Sequence, residues 1–552
     1  MYAELPTELI VKILQILDLR EILRCRLVEK RFRDIVDSTP QLQYAIELAV
    51  ANCADNAGSG LGVTEKLGAL RAREGAWKRA RFGLGAALLY EYDWAYAGNV
   101  LQREFEFKAL SAGADGRGAV EARAWTIDPG FLDFFLLETA LDPAQDVAVF
   151  LGMGKSSLLL HVVTLSTGTP LLDEPVQVLG PEMDDIQTTL RIHGPLAALT
   201  FVGVLASGAG DELAADPEYS TIVHVYDIRR GALLTTLTCN AGAGHSNARD
   251  LFGFISTTAF VLGSYVGGNY SLELHALLPS ATSAALPLPA THIATYRFPP
   301  IAPTTFTTGW LLDEGSPGAL GHPAPFAALP NAPMLAIKRA YMHEERARRG
   351  ERITCVFAIP FTIFLDAVAR AAAAAGQRDG EAGPRDLLWA AWGPAGTRCI
   401  PVPNDILMNP KASLTCHGFR LLVHEPQSST LLDFNSLDIA RDVRRVREGR
   451  CAAAAAVGKC DKPNGCACEE DEEDVVVPPY PGRIILRPTT MPREFFTADV
   501  VTRLPYRETR VEWVGARPSR IVDGDPTLTV TGEPTGHGGL NITEYRVLVI
   551  DP

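Results

Sequence analysis

The sequence predicts an α+β multidomain protein, with helices near the N-terminus followed by a large, mainly-β domain. Apolar residues recur at helical spacing as far as about residue 82. From about Glu91 onward, short apolar stretches alternate with Gly, Pro, Asn and Asp, which is the pattern of strands and turns. At 552 residues the chain also exceeds the usual size of one domain. We therefore assign residues 1–50 to a helical module, 51–90 to a helical bridge and 91–552 to the β domain.

The first predicted helix carries more apolar surface than a small module can bury by itself. Seven of the nine residues from Leu9 to Leu17 are apolar, and at 100° per residue they cover an arc of roughly 220°. A surface helix of a globular protein needs a stripe of only about 100°. A module of about 45 residues is close to the size below which a domain is marginally stable. The excess apolar surface therefore predicts contact with a second chain.

Two further helices are predicted in the same module. Asp18 is a suitable N-cap and Glu21 follows three residues later, as in a capping box. Apolar residues then repeat at helical spacing as far as Val28. The basic residues on the other face are interspersed with acidic ones, which indicates a solvated surface rather than a nucleic-acid site.

This N-terminal segment resembles an F-box, the helical module that docks a substrate receptor onto a Skp-type adaptor in a cullin ubiquitin ligase. The residues that carry the resemblance are Leu5-Pro6, Glu8, Ile13-Leu14, Leu17, Leu23, Cys25-Arg26, Val28 and Phe32. Glu29 and Phe32 depart from it, because a small or sulfur residue and a Trp are common at those places. The resemblance implies that the adaptor is contacted by Leu5, Pro6, Glu8, Leu9, Ile13, Leu14, Leu17, Leu23, Val28 and Phe32.

The same resemblance implies a function without chemistry of its own. An F-box protein of this kind binds the adaptor, and through it the cullin ligase, and presents a client protein for ubiquitination. The client is not identified by the resemblance. One alternative is a scaffold or sensor that binds the adaptor without delivering a client. Another is a propeller enzyme, but the sequence contains no catalytic motif, so we expect neither enzymatic activity nor a cofactor.

The β domain is predicted to be a degenerate β-propeller. Residues 161–168 with Leu171-Leu172 and residues 224–231 with Leu233-Leu234 each look like the outer two strands of a propeller blade. Similar stretches recur along the chain at intervals mostly above about 50 residues, whereas regular WD repeats recur every 40–45 residues. Six to eight blades would fit, and a pair of β-sandwiches is the alternative. Four blocks resemble recurring segments of large fungal F-box proteins with a propeller-like C-terminal half: Trp392-Gly393-Pro394 with Thr397-Arg398, His417–Arg420, Leu432–Asn435 and Leu504–Glu508.

Insertions interrupt the strand pattern. Ala367 to Pro384 predicts a short helix leading into a loop, and the stretch of about 444–479 is predicted to be mobile because it combines an Ala run with six consecutive acids. The second insertion also contains Cys451, Cys460, Cys466 and Cys468. Their gaps of eight, five and one residues do not fit paired zinc ligands. We expect free thiols there, and metal binding stays open.

Composition and short motifs exclude several other functions. The net charge of −14 argues against partners such as nucleic acid or anionic membrane. The best apolar run, Ile353 to Leu365, is too short for the ~20 residues of a membrane span. The absence of a basic-then-apolar leader predicts a cytoplasmic or nuclear protein. Gly152 to Ser157 lacks the first glycine of a phosphate-binding loop, since position 149 is Val, and it predicts a hairpin instead.

Overall fold

Helices occupy the N-terminal part of the protein and antiparallel sheets most of the rest. This architecture is seen in a computed structural model, which describes residues 5–88, 95–97, 100–103, 105–112, 119–128, 135–154, 157–178, 180, 183–205, 218–243, 252–266, 269–278, 290–303, 305–313, 326–328, 334–343, 353–375, 384–402, 413–424, 428–456, 474–514, 520–521, 528–534 and 540–550.

Five α-helices lie within residues 5–80: α1 (Thr7–Leu14), α2 (Leu19–Val28), α3 (Lys30–Ser38), α4 (Pro40–Ala51) and α5 (Val63–Arg79). Asp18 caps α2, because its side-chain oxygen accepts a hydrogen bond from the Glu21 N–H at 2.8 Å. Asn52 ends α4 in the left-handed conformation, with φ of 54°. Three later helices are α6 (Thr362–Ala375), α7 (Trp389–Gly396) and α8 (Ser436–Ala456). Single 3-10 turns lie at Ala57–Ser59, Pro143–Gln145 and Arg493–Phe495.

The strands of the described residues group into seven large sheets, whose members follow in order from one edge to the other. Sheet one contains β3 (Ala95–Ala97), β4 (Val100–Arg103), β5 (Glu106–Ala112) and β6 (Ala119–Thr126). Sheet two contains β10 (Val176–Val178), β9 (Leu158–Thr164), β8 (Val147–Met153) and β7 (Phe135–Asp142). Sheet three contains β11 (Met183–His193), β12 (Leu196–Leu205), β13 (Glu218–Asp227) and β14 (Ala232–Ala243).

The later sheets carry additions or crossovers. Sheet four contains β15 (Phe252–Ser256), β16 (Ala259–Val266), β17 (Asn269–Ala276), β18 (Thr291–Arg297) and β23 (Arg385–Leu387). Sheet five contains β19 (Thr305–Asp313), β21 (Met334–His343), β22 (Ile353–Pro360) and β24 (Arg398–Val402). Sheet six contains β25 (Ser413–His417), β26 (Arg420–His424), β27 (Ser429–Asp433), β32 (Tyr506–Arg510), β29 (Arg483–Ile485) and β28 (Val475–Val476).

Sheet seven combines both ends of the β region: β33 (Glu512–Val514), β2 (Arg81–Leu88), β36 (Leu540–Ile550), β35 (Leu528–Pro534) and β34 (Arg520–Ile521). Two small pairs complete the strands: β1 (Cys53–Asp55) with β20 (Phe326–Ala328), and β30 (Thr489–Met491) with β31 (Val500–Thr502).

The seven sheets form a closed ring, because each contacts the next and the seventh contacts the first. Sheets one to six are joined by apolar clusters that contain, in ring order, Phe107 with Phe150, Val149 with Leu199, Val225 with Phe260, Tyr296 with Phe357 and Val356 with Val423. Strand β25 contacts β34, which joins sheets six and seven, and β2 contacts β6, which joins sheets seven and one. A ring of antiparallel sheets is a propeller-like architecture, so the β-propeller prediction is confirmed in preference to two β-sandwiches.

Several elements match the sequence predictions and others correct them. The strand–turn–strand pattern predicted at 224–234 is β13–β14, the outer strands of sheet three, with its turn at Gly231. In the pattern predicted at 161–172, β9 and the turn at Gly168 are found, but Leu171-Leu172 lie before the outer strand β10 and not in it. The predicted helical bridge 51–90 is shorter than expected, because Ala80 turns left-handed, with φ of 47°, and β2 follows at once. The insertion at about 444–479 is also corrected: residues 444–456 continue α8, and residues 475–476 form β28. Residues 457–473 lie outside the described residues.

A buried ion network joins the helices of the N-terminal part to sheet six. It consists of Lys78 on α5, Arg507 on β32, and Asp438 and Asp442 on α8. The Lys78 ammonium donates to Asp438 Oδ1 at 2.7 Å and to Asp442 Oδ2 at 2.8 Å. The Arg507 guanidinium donates to Asp438 Oδ2 at 3.0 Å and to Asp442 Oδ2 at 2.5 Å. All four side chains are at most 6% exposed, so each charge depends on its partners for the solvation it has lost.

A second ion pair lies beside the network and ties α5 to sheet six again. Arg420 on β26 donates to the Glu74 carboxylate, and its guanidinium carbon lies 4.7 Å from the centre of the Trp77 ring. Burial raises the pKa of Glu74, but the charges of Arg420 and Arg73 lower it by more, so the carboxyl stays ionised.

Helix α8 also holds α4, the last helix of the N-terminal module. Arg441 donates to Glu47 Oε2 at 2.7 Å, and the Asn435 amide donates to the Val50 carbonyl at 2.7 Å. Asn435 caps α8 at the same time, since its Oδ1 accepts from the Asp438 N–H at 3.1 Å. Helix α8 therefore connects the module, α5 and the ring.

We expect Asp442→Asn to destabilise the protein by about 3–5 kcal/mol, because it leaves two buried cations sharing one carboxylate. The measurement is urea denaturation followed by tryptophan fluorescence. Asp386→Asn is the matched control: it breaks the exposed Arg297–Asp386 pair, which we expect to cost at most about 1 kcal/mol. Equal losses in the two variants would contradict the role assigned to the network.

The network also predicts a pH dependence. Burial raises the pKa of Asp438, but the charges of Lys78 and Arg507 outweigh it, and the pKa falls from 3.8 to about 2. A carboxyl whose pKa is lowered by folding contributes stability above its unfolded pKa, and that contribution is lost as the pH falls from about 4 to about 2. We expect this loss to be roughly 2 kcal/mol greater in the wild type than in Asp438→Asn, measured by urea denaturation at pH 5 and pH 2.5. Parallel acid profiles of the two proteins would show that Asp438 is not responsible.

Candidate functional site

The N-terminal module, helices α1 to α4, has a small core of its own. Each of the four helices contributes at least one buried residue to this core. The buried residues are Ile10, Leu14, Ile22, Ile35, Val36 and Leu42, with Leu5, Val11, Leu17, Cys25, Phe32 and Ile46 partly buried around them.

The module leaves an unusual number of apolar side chains outside that core. Of the thirteen exposed large apolar residues in the described part of the chain, six lie on α1, α2 and the turn between them: Leu9, Ile13, Ile16, Leu23, Leu27 and Val28. Ile16 is 82% exposed and Val28 is 75% exposed. Single exposed apolar residues are normal, but a concentration within twenty positions indicates an interaction surface.

Two of these residues border an apolar cleft in the module. The cleft has a volume of about 290 Å³, and no polar atom contributes to its surface. Its lining residues are Leu5, Ile10, Ile13, Leu14, Leu17, Cys25, Val28 and Phe32. An apolar cleft with exposed Ile13 and Val28 at its edge is a suitable seat for an apolar side chain of a partner.

A second, larger cleft of about 770 Å³ separates α2 from α8. Leu23 and Leu27 lie on its wall, and six arginines line it: Arg26, Arg33, Arg71, Arg441, Arg444 and Arg445. Most of these arginines are paired with acids, as Arg26 is with Asp37 at 2.7 Å. The two clefts share none of their lining residues.

The ten residues predicted to contact an adaptor divide by their exposure. Pro6, Glu8, Leu9, Ile13, Leu23 and Val28 are exposed, and Leu5, Leu17 and Phe32 are partly buried at the apolar cleft. Leu14 is only 1% exposed, so its contribution is to the core and to the floor of the cleft. The prediction omits the exposed Ile16 and Leu27, although both belong to the apolar helical repeats from which the surface was inferred.

Two other candidate sites predicted from the sequence, the loop at 152–157 and Arg398, have structural roles. Gly154 donates its N–H to the Ser157 carbonyl at 2.9 Å between the antiparallel strands β8 and β9, so the predicted hairpin is confirmed. Arg398 is buried and donates to the backbone carbonyls of Arg487 and Leu504. Arg398 therefore has a structural role, and Trp392 is buried in the apolar cluster shared by sheets four and five.

Two further sequence predictions concern the four cysteines of the insertion and the absence of a membrane span. Cys460, Cys466 and Cys468 lie outside the described residues, and the side chain of Cys451 is not among those described. As for membrane spans, none of the helices in the described ranges combines the length and the hydropathy that a bilayer crossing requires.

Comparison with known proteins identifies the module. Residues 2–46 match a family model described as F-box-like, so helices α1 to α4 contain an F-box. No curated protein matches the chain.

Solved structures share the general β architecture only weakly. The WD40 domain of SCAP from fission yeast is 8% identical, with 85% of this chain and 96% of that chain covered and a TM-score of 0.26. A chain of the nidogen/laminin complex is 9% identical, with coverage of 62% and 88% and a TM-score of 0.23. These TM-scores are too low to support any inference about function.

The division into exposed and core residues predicts different costs of substitution. We expect Ile16→Ser and Val28→Ser to change the free energy of unfolding by no more than about 0.5 kcal/mol, because their side chains lose no buried contact. Ile10→Ala and Leu14→Ala should cost about 2–5 kcal/mol, because they leave cavities. The measurement is urea denaturation of each variant. A large loss in Ile16→Ser or Val28→Ser would mean that those side chains are buried in the protein's own fold.

Proposed function

We propose that this protein is the substrate-recognition subunit of an SCF-type cullin ubiquitin ligase. The single observation that carries the proposal is the F-box at residues 2–46 with an apolar surface that its own chain leaves uncovered. A Skp-type adaptor is the partner that such a module binds. The ring of sheets is then the part that receives the client protein.

Adaptor docking is proposed to centre on the apolar cleft. Ile13 and Val28 stand at its edge, Leu9 is exposed one helical turn before Ile13, and Pro6 begins the helix. Burial of large apolar side chains against a partner contributes about 1.5–3 kcal/mol for each fully buried residue. Three such anchors are sufficient for a stable complex when the surrounding polar residues, Glu8 among them, remain at the rim.

Client presentation depends on a fixed geometry between the two parts. Helix α5 leads from the F-box into β2, and the buried ion network clamps α5 and α8 to sheet six. A rigid connection raises the effective concentration of a bound client near the ubiquitin-carrying enzyme, since the linker does not sample other orientations. The ring loops are the expected contact points with the client, because loops on a rigid scaffold commonly carry recognition.

The test is a binding assay between the purified protein and a purified Skp-type adaptor. We expect the triple variant Leu9→Ala, Ile13→Ala, Val28→Ala to lose at least 100-fold in affinity, as about 1 kcal/mol or more is lost at each anchor. The matched control is Leu61→Ala, Leu171→Ala, Leu388→Ala, which truncates exposed apolar residues elsewhere and should bind as the wild type does. Because none of the six residues is buried, both variants should fold.

The outcomes separate the proposed function from its alternatives. No binding by the wild type would overturn the proposal, and so would equal binding by the two triple variants. If the adaptor binds but no cellular protein is turned over more slowly when the docking variant replaces the wild type, the protein is an adaptor-binding scaffold or sensor instead of a substrate receptor.

A further inference from the structure

Two histidines and a glutamate meet at the outer half of sheet four, far along the chain from the F-box. Glu273 and His275 lie on β17, and His292 lies on β18. One ligand-type atom from each of the three residues lies within 4.8 Å of the others. His275 is 7% exposed and the other two are partly exposed. The function proposed above does not use this cluster.

The strands hold the three side chains in a fixed arrangement. His275 is the register partner of His292, and Glu273 precedes His275 by two positions, on the same face of β17. The register shifts between Leu274 and His275, so that His292 rather than Ile293 stands opposite His275. Such bulges redirect side chains and are frequent at functional sites. The two imidazole rings stack, with centroids 4.9 Å apart and planes inclined by 19°.

The distance between the His275 ring and the Glu273 carboxylate fits two ligands of one metal ion better than it fits a strong hydrogen bond. His275 Nε2 lies 3.4 Å from Glu273 Oε2, whereas a charge-assisted N–H···O bond is about 2.7–2.9 Å long. Two atoms bound to one tetrahedral zinc, with bonds of about 2.0–2.1 Å, are separated by roughly 3.3–3.4 Å. The Nδ1 atom of His275 is buried without a hydrogen-bond partner. This buried imidazole therefore makes no full-strength hydrogen bond, which is costly for a buried polar group.

One neighbouring side chain provides the kind of orienting contact that metal ligands usually have. The Thr295 hydroxyl lies 3.0 Å from His292 Nε2.

A nearby thiol does not belong to the cluster. Burial, together with the charge of Glu273, raises the pKa of Cys239 to about 12. The thiol stays protonated and donates to the Gly263 carbonyl at 3.5 Å. A metal held here would have nitrogen and oxygen ligands only.

We propose that Glu273, His275 and His292 form a zinc site of the two-histidine, one-carboxylate class, with water as the fourth ligand. Imidazole and carboxylate together suit zinc among the abundant divalent cations, whereas magnesium and calcium prefer oxygen ligands alone. The ion would link β17 to β18 across the bulge, next to the apolar cluster shared by sheets three and four. Zinc at this place would cross-link two neighbouring strands in the outer half of sheet four.

The experiment uses the full chain after removal of metal by a chelator, with Co²⁺ and Zn²⁺ as probes. We expect one equivalent of Co²⁺ to give a ligand-field spectrum without the charge-transfer band of a cobalt–thiolate bond. The missing band separates this site from Cys451, Cys460, Cys466 and Cys468. Zn²⁺ should displace the cobalt and raise the midpoint of thermal unfolding.

Three variants make the result specific. His292→Gln and Glu273→Gln should each lose that equivalent of Co²⁺ and the thermal shift, while circular dichroism shows that they remain folded. His161→Gln, which changes a strand histidine of sheet two, should retain both. The proposal is overturned if wild type and His292→Gln take up the same cobalt, or if all cobalt bound by the wild type shows the thiolate band.

Discussion

The orientation of this protein's two parts depends on four buried charges. Asp438 and Asp442 stand one helical turn apart on α8 and receive Lys78 from α5 and Arg507 from β32. A cluster of this kind contributes little net stability compared with apolar packing, but it tolerates only one arrangement, since any displacement leaves a charge buried and unpaired. The interface between the helices and the ring therefore has one preferred geometry rather than a range of them, and Glu47 and Glu74 extend that constraint to α4 and to β26.

Ring closure and F-box placement are parts of the same structure. The chain leaves α5 at Arg79, turns at Ala80 and enters β2, which pairs with β36. The segment that carries the F-box is thus also the segment that completes sheet seven. Because β2 lies between β36 and β33, the module is attached to the ring by backbone hydrogen bonds as well as by the ion network.

The sequence predicts the helical module well because its signals are local. Asp18 and Glu21 are three residues apart, and the apolar repeats that reveal the exposed surface, including the overlooked Ile16, lie within α1, α2 and the turn between them. The ring is predictable only in outline, since β2 and β36 are separated by more than 450 residues and no periodicity reports their pairing. The sequence does not predict the role of α8, because its acids, Asp438 and Asp442, resemble solvent-exposed positions. Only the structure shows that Lys78 and Arg507 face them.

The pairing of β2 with β36 has a consequence for synthesis on the ribosome. The F-box emerges more than 450 residues before the strand that pairs with β2. Its small core can form early from α1 to α4, whereas sheet seven stays incomplete until β36 has been translated. An interrupted chain would therefore display a folded N-terminal module on an open ring. Under the function proposed above, such a truncated product would still bind the adaptor but would lack the complete ring that receives the client.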